Sequence, residues 1–249
     1  MKISAVVITK NEERNIRRCL ASLQGVAEEV IVLDSFSEDD TREICEEFGV
    51  RFIEQKWLGF AATKNLGNDL ATHPYILSLD ADEQLTTELR NSILKAKSDP
   101  NGAYSFNRMA FYCGKPIKHC GWYPDRKLRI FPKGKGRWTG EYVHETLQVD
   151  EDVPVTHLKG DLLHYSYYTV REHLDRAERY ASLAAQELAA QPLGRLRFKR
   201  AVSPRFRFFK MYVLQLGFLD GKHGYDVCRI TAREVRLKYQ KAIQRKLEG

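Results

Sequence analysis

Two acidic residues separated by one residue, Asp80 and Asp82, follow a short apolar run that predicts a buried β-strand. Carboxylate oxygens are the ligands that hard divalent cations such as Mg²⁺ and Mn²⁺ prefer, and these cations keep positions open for phosphate oxygens. An acidic pair between a strand and a helix can also be merely solvated or can cap the helix. The position favours binding, because open α/β sheets hold ligands beyond the carboxyl ends of their strands.

A third acidic residue, Asp34, ends an earlier predicted strand and would lie on the same edge of the sheet. It could begin the next helix, or it could bind the base or ribose of a nucleotide. Both interpretations remain open from the sequence.

The elements that must position these residues form a repeating pattern in the first 80 residues. Unbroken β-branched runs, typical of strands covered on both faces, alternate with segments of helical spacing. The predicted strands are Ile3–Thr9, Glu29–Asp34, Val50–Glu54 and Tyr75–Leu79, and the predicted helices between them are Glu12–Leu23, Thr41–Phe48 and Ala61–Leu70. Such repeats predict an α/β fold with a mainly parallel sheet between helices.

The pattern changes after Asp82. A helix at Glu88–Ala96 is followed by shorter strands at Ala103–Phe106, Lys127–Phe131 and Tyr142–Val149, whose loops we expect to complete the site. Three C-terminal helices are predicted at Val170–Ala190, near Phe206–Leu219 and at Tyr225–Lys246, with Pro192 and Gly194 ending the first. We therefore predict a catalytic domain at residues 1–170 and a helical region at 171–249.

The charge of the chain is divided unevenly. The formal net charge of +7 combines 25 basic and 29 acidic residues in positions 1–194 with 15 basic and 4 acidic residues in positions 195–249. A basic C-terminal part is attracted to polyanions, either nucleic acid or an anionic membrane. The segment Arg205–Tyr212 mixes cations with large apolar side chains, as interfacial helices do. We therefore expect it to bind an anionic membrane surface, or to pack on the rest of the protein, and we expect no nucleic acid.

Several classes are disfavoured by what the sequence does not contain. Neither a G-x-G-x-x-G nor a G-x-x-x-x-G-K-[ST] motif follows any predicted strand, which argues against a dinucleotide fold or a P-loop. Five widely spaced cysteines, with no C-x-x-C unit, fit a reducing compartment. We find neither a leader nor a spanning segment, and we expect a cytoplasmic protein, peripheral on the inner face of the cytoplasmic membrane.

Three motifs in order carry a resemblance: Ala5–Glu12, Val30–Ser35 and Leu79–Glu83. Together they resemble family 2 inverting glycosyltransferases of the GT-A fold, over roughly residues 1–170. Within that family the chain is similar to lipopolysaccharide inner-core β-1,4-glucosyltransferases. The residues that carry this closer likeness are Lys64-Asn65, Trp122–Arg129, Val143–Glu145 and His164–Ser166.

The resemblance implies roles for individual residues. It implies that the donor is bound by Thr9, Asn11, Glu12, Asp34, Lys64, Asn65 and Asp80. Asp80 and Asp82 would serve a metal, Mg²⁺ or Mn²⁺, and His164 matches the position of a third ligand, although a lone histidine is more often structural. Trp122 and Tyr123 could stack on an acceptor sugar or lie in the core, and Arg126 could assist on that side or be a solvated charge.

The chemistry of sugar transfer to a hydroxyl requires a group that removes the proton from the acceptor as it attacks. Glu145 is our first choice, with Glu141 and Asp125 as alternatives, although a carboxylate at residue 145 could also be a surface strand residue. The predicted reaction moves a hexose, with UDP-glucose as the expected donor, onto a hydroxyl of a lipid-linked saccharide such as the lipopolysaccharide inner core.

Three rival functions remain open. The same fold could act on a polyprenyl phosphate, whose oxygen is already ionised. A sugar nucleotidyltransferase shares the layered plan, but its Gly-rich N-terminal loop is missing. A non-catalytic module that binds nucleotide sugars or membranes would follow if the acidic pair were only structural.

Overall fold

The central strand of the sheet, β1 (Ile3–Thr9), is buried along its whole length because both of its faces are covered. It pairs in parallel with β2 (Glu29–Asp34) and with β4 (Tyr75–Asp80), and β2 pairs in parallel with β3 (Arg51–Glu54). The carboxyl ends of four strands therefore meet at one edge. The computed structural model describes residues 1–140 and 145–248.

The remaining elements follow in chain order. The other strands are β5 (Glu83–Leu85), β6 (Ala103–Tyr112), β7 (Lys115–Pro116), β8 (Asp125–Pro132), β9 (Gly136–Thr139), β10 (Thr146–Val149) and β11 (Val155–Tyr167). The helices are α1 (Ile16–Leu23), α2 (Thr41–Glu47), α3 (Phe60–Leu70), α4 (Thr87–Ser98), α5 (Val170–Leu188), α6 (Leu193–Phe209) and α7 (Gly221–Glu248).

The sheet is mixed beyond its parallel part. Among the described residues the main order is β3-β2-β1-β4-β8-β6-β11-β5, with β7 paired to β6, while β9 and β10 form a separate antiparallel hairpin. Strand β8 runs antiparallel to both β4 and β6. The predicted class is confirmed as an α/β fold with a parallel β-α part and a helical C-terminal region.

Alternate residues of β1 lie in two separate cores. Ala5 and Val7 pack in the cluster that contains the apolar residues of α1, whereas Val6 and Ile8 pack in the cluster on the other side of the sheet, which includes α3. The two clusters therefore pack against opposite faces of the sheet and hold β1 between them.

Gly67 lets α3 approach the sheet closely. A Cβ at this position would lie 2.3 Å from a methyl carbon of Val6 and 2.4 Å from one of Leu33, so any larger residue would push the helix away. Because Lys64 lies one helical turn before Gly67, this close packing also sets the depth of the Lys64 side chain.

The chain divides into two compact units. The first comprises Met1–Arg108 and Asp125–His164, and the second comprises Met109–Pro124 and Tyr165–Gly249. The prediction of a boundary at residue 170 did not include the segment 109–124 in the C-terminal part. That segment joins the second unit because Tyr112, Ile117 and Cys120 share an apolar cluster with residues of the C-terminal helices.

The C-terminal helices differ from the prediction. The segment near Phe206–Leu219 is not one helix: α6 ends at Phe209, a π-helical turn covers Lys210–Leu214, and a 3₁₀ turn covers Gly217–Asp220. Pro192 is the residue immediately before α6, where its fixed φ is tolerated, and Gly194, predicted to end a helix, lies in the first turn of α6. No helix in the described part of the chain is long and apolar enough to cross a bilayer.

Candidate active site

The acidic motif forms a tight turn where β4 leaves the sheet. Asp80 is the last residue of β4, and its backbone N–H donates to Oε2 of Glu83 at 3.0 Å. The Ala81 N–H donates to the Ile8 carbonyl of β1, which holds the turn against the neighbouring strand. These hydrogen bonds fix the backbone that carries the side chains of Asp80 and Asp82.

Two buried cations face the carboxylate of Asp80. Lys64 of α3 is 1% exposed, and its Nζ lies 2.9 Å from Oδ1 of Asp80. Arg129 of β8 is 3% exposed, and its Nη2 lies 3.4 Å from Oδ2. Burying a cation is costly unless a carboxylate is close, so Asp80 helps to stabilise both cations.

A second carboxylate completes the pairing of these cations. Glu83 is fully buried, and its Oε1 accepts from Nη2 of Arg129 at 2.5 Å and lies 3.6 Å from Nη1 of Arg108. Glu83 thus ties β5 to β8 and β6 through charge-assisted contacts.

These charges shift the proton affinities of the groups that they surround. Burial alone would raise the pKa of Asp80, but the charges of Lys64 and Arg129 hold it well below its usual range. Burial alone would lower the pKa of Arg129, but Glu83 and Asp80 raise it. Asp80 and Arg129 are therefore both charged at neutral pH.

An indole ring forms one wall of this charge cluster. Nζ of Lys64 lies 4.3 Å from the ring centre of Trp138, and the guanidinium carbon of Arg129 lies 5.6 Å from it. The side-chain amide of Asn65 donates to the backbone carbonyl of Trp138 and accepts from the backbone N–H of Trp138, each at 2.9 Å. Asn65, predicted to bind the donor, is thus placed to hold β9.

The three candidate bases have different surroundings. Oε1 of Glu145 lies 3.5 Å from Nζ of Lys64, so the same ammonium contacts both Glu145 and Asp80. Asp125 pairs with Arg108 at 2.8 Å and with Lys127 at 3.0 Å. Glu141 lies outside the described residues. Of the two that can be placed, Glu145 is the one joined to the acidic motif.

The predicted metal ligands are only partly brought together. Oδ2 of Asp82 lies 3.2 Å from Nε2 of His164 on β11, and both side chains are partly exposed. Asp80 is turned toward Lys64 and Arg129. Within residues 1–140 and 145–248, no group of three or more acidic, histidine or cysteine side chains is close enough to hold a metal by itself. An adjacent carboxylate oxygen and imidazole nitrogen still suit Mn²⁺ or Mg²⁺ if a substrate supplies further oxygens.

The residues predicted to bind the nucleotide lie at the carboxyl ends of β1 and β2. The Asp34 carboxylate accepts from the backbone N–H and the hydroxyl of Ser37, at 2.7 and 2.5 Å. Asn11, at a positive φ of 53°, donates from its N–H to the Ser37 hydroxyl at 2.7 Å. The hydroxyl of Thr9 is buried and has no hydrogen-bond partner among the described residues, so it is available to a ligand.

Glu12 has a local role at the same edge. Its Oε2 accepts from the side-chain amide of Asn15 at 2.6 Å, and its N–H donates to the Thr41 hydroxyl at 2.8 Å. These contacts order the entry into α1 and join it to the start of α2.

The predicted acceptor residues fall in different units. In the second unit, the Trp122 ring centre lies about 6 Å from those of Tyr112, Tyr167 and His173, so the indole packs in an aromatic cluster. Tyr123 is half-buried in the same unit, whereas Arg126 is exposed on β8 of the first unit. Their roles in acceptor binding stay predictions.

The sequence reasoning missed Arg129, Glu83 and Trp138 as parts of the site. The sequence could have indicated Arg129, because it follows Asp125 and Lys127 at the two-residue spacing that places strand side chains on one face. Glu83 directly follows the acidic pair. Trp138 had no signal, since its position depends on the hairpin of β9 and β10.

The chain belongs to glycosyl transferase family 2, whose family model matches residues 4–146. The match includes all four parallel strands, the acidic motif and Glu145. This family confirms the prediction of a glycosyltransferase.

Relatives match over nearly the whole chain. An uncharacterized glycosyltransferase of Rickettsia typhi is 29% identical, covering 95% of this chain and 85% of its own length. The lipopolysaccharide core biosynthesis glycosyltransferase LpsC of Rhizobium meliloti is 26% identical, covering 94% and 92%. The solved structure of S. aureus TarS matches at 16% identity with a TM-score of 0.48, covering 88% of this chain. This chain spans 45% of TarS, and the family assignment depends on the family model.

Proposed function

We propose that this family 2 enzyme transfers a hexose, with UDP-glucose as the donor, onto a hydroxyl of a lipid-linked saccharide with inversion at the anomeric carbon. The observation that carries the proposal is the contact of one buried ammonium, Lys64 Nζ, with both Asp80 and Glu145. It links the proposed donor end of the site to the proposed base.

The donor end has the features that a nucleotide diphosphate needs. The buried Thr9 hydroxyl and Asp34 lie at the ends of β1 and β2, and are proposed to contact the nucleoside. Lys64 and Arg129 are paired with the carboxylates of this end of the site, so the proposed divalent cation would be the group that meets the charge of an anionic diphosphate.

Mg²⁺ or Mn²⁺ is proposed to bind at Asp82 and His164, with Asp80 nearby. When bound, such an ion offsets negative charge on the departing diphosphate. The carboxylate and imidazole of Asp82 and His164 are held 3.2 Å apart by β5 and β11, which pair directly at His164 and Glu83.

Glu145 is proposed to remove the proton of the acceptor hydroxyl. In a single displacement the acceptor oxygen attacks the anomeric carbon as the sugar-phosphate bond breaks, so no covalent enzyme nucleophile is required. The contact with Lys64 holds the Glu145 carboxylate beside the donor end, where the proton is released.

The acceptor class is proposed from similarity to LpsC, whose name places it in lipopolysaccharide core biosynthesis. We therefore propose a lipid-linked core saccharide as the acceptor and a peripheral position on the inner face of the cytoplasmic membrane.

A screen of nucleotide sugars tests the proposed function. The chain should release UDP from UDP-glucose in the presence of Mn²⁺, even without acceptor, and release should fall when the metal is chelated. Turnover of no nucleotide sugar under any metal condition would contradict the proposal and favour a binding module.

Glu145→Gln separates the proposed hydroxyl acceptor from a polyprenyl phosphate. We expect transfer to a hydroxyl to fall by about a hundredfold or more, because the amide cannot take the proton. Binding of UDP, which requires no base, should change little, which controls for folding. An unchanged transfer rate would favour an acceptor that is already ionised, a possibility consistent with the two buried cations.

A further inference from the structure

Helix α6 and the turn after it expose a continuous row of apolar side chains. Their spacing of three or four residues places them on one face of a helix. Their exposed fractions range from 42% to 66%. This apolar stripe consists of Phe198, Val202, Phe206, Phe209 and Val213.

The opposite face of α6 is the one that packs. Leu196 is fully buried in a cluster with Val235 and Tyr239 of α7. The turns beyond the stripe add further exposed apolar side chains, namely Leu214, Leu216, Phe218 and Leu219. The stripe is therefore a surface that the second unit does not use for its own core.

The charge around the stripe has one sign. The segment 195–210 carries seven basic residues, and no acidic residue occurs from Leu193 to Leu219. A helix with a row of phenylalanines on one face and cations around it has the composition of helices that lie in the membrane interface. This segment also lies beyond residues 4–146, so the family match does not explain it.

We propose that the apolar stripe docks the chain on an anionic lipid bilayer, with its aromatic and aliphatic side chains between the headgroups and the basic side chains on the lipid phosphates. The helix lies along the surface and does not cross it, since no described helix is suited to span a bilayer.

Charge complementarity selects this occupant over two others. In a symmetric dimer through this face, the stripe would meet its own copy and bring two sets of seven cations together. Nucleic acid would match the cations, but Val202, Val213 and the leucines beyond them would then face a highly charged backbone. A bilayer with anionic lipids accommodates both the apolar and the basic side chains.

Vesicle sedimentation with the full chain tests the proposal. Vesicles of phosphatidylcholine and phosphatidylglycerol, mixed at about two to one, should bind the chain at least about tenfold more tightly than pure phosphatidylcholine, and salt should weaken the binding. Replacing both Phe206→Ser and Phe209→Ser should weaken binding to the mixed vesicles by about tenfold or more.

The matched control is Leu183→Ser on α5, which removes a similarly exposed apolar side chain (44%) outside the stripe. This variant should bind the vesicles like the unmodified chain. UDP release from the donor should be unchanged in all these variants, so loss of membrane binding is distinguishable from failure of the proposed function.

Three outcomes would overturn the proposal. One is vesicle binding that the double serine variant retains in full. Another is a dimer in solution that the double variant dissociates while no variant binds vesicles. The third is tight binding of single-stranded RNA that depends on Phe206 and Phe209, with no binding to vesicles.

Discussion

Both compact units bury basic side chains, but the charges that surround these side chains differ between the units. In the first unit, Lys64 and Arg129 are almost fully buried and each faces a carboxylate within 4 Å. In the second, His173 is 3% exposed among the rings of Tyr112, Trp122 and Tyr167. Burial, followed by the charge of Arg176, lowers the pKa of His173 to about 4.

The difference shows what determines charge in an interior. Desolvation disfavours the charged form of any base, and only a nearby carboxylate reverses the effect. The sheet edge supplies Asp80 and Glu83, so Arg129 remains charged. For His173, burial and the charge of Arg176 lower the pKa by more than the carboxylate of Asp226 raises it, so His173 is neutral at pH 7. The first arrangement is suited to an anionic ligand, and the second to packing.

Asp80→Asn should have the largest effect on the first unit's site. The variant keeps the shape of the side chain but removes the charge that faces Lys64 and Arg129. We expect UDP release from the donor to fall by at least about a hundredfold. Asp125→Asn, at a carboxylate without contact to Lys64, is the matched control and should retain most of the donor turnover.

Arg129→Leu should have the largest effect on stability. It leaves Glu83 buried with one weaker partner, and breaking such a pair typically costs about 3–5 kcal/mol of unfolding free energy. Chemical denaturation measures the change. The exposed pair of Arg17 and Glu47 provides the control, since Arg17→Leu should leave the stability almost unchanged. Equal effects of the two substitutions would contradict the distinction between buried and exposed pairs.

His173→Gln should change the pH dependence of stability. Because the pKa of His173 is lowered to about 4 in the folded state, the unfolded state binds the proton more tightly, and stability falls as pH drops from about 6.5 to 4. The loss at pH 4 amounts to about 3 kcal/mol at most. The variant should lose less stability over this range. Burial and then the charge of Arg126 also lower the pKa of His157, but this side chain is exposed, so His157→Gln should change the pH dependence less than His173→Gln.

The parallel half of the fold could be predicted because each strand is a continuous apolar run ended by polar residues. Ile3–Thr9 and Glu29–Asp34 have the predicted bounds. The acidic motif was placed correctly at the end of β4 by the same reasoning. The bounds of the C-terminal helices were harder to predict. Pro204 lies inside α6 and Pro192 immediately precedes it, whereas a proline in a sequence usually indicates the end of a helix.

The charge network could not be predicted because its partners are distant in sequence. Arg129 and Glu83 are 46 residues apart and meet only through the pairing of strands in the folded sheet. Lys64 was expected to bind the donor from resemblance alone. Its contacts with Asp80 and Glu145 depend on how deeply α3 packs, which Gly67 determines.

The most direct test of the central claim is calorimetric titration of UDP into the chain with and without Mn²⁺, repeated with Asp82→Asn. The account predicts that Mn²⁺ strengthens UDP binding to the unmodified chain by about tenfold or more, and that the variant loses this gain while keeping its metal-free affinity. If Mn²⁺ strengthened UDP binding equally in both proteins, the nucleotide diphosphate would not be bound at the carboxyl end of β4.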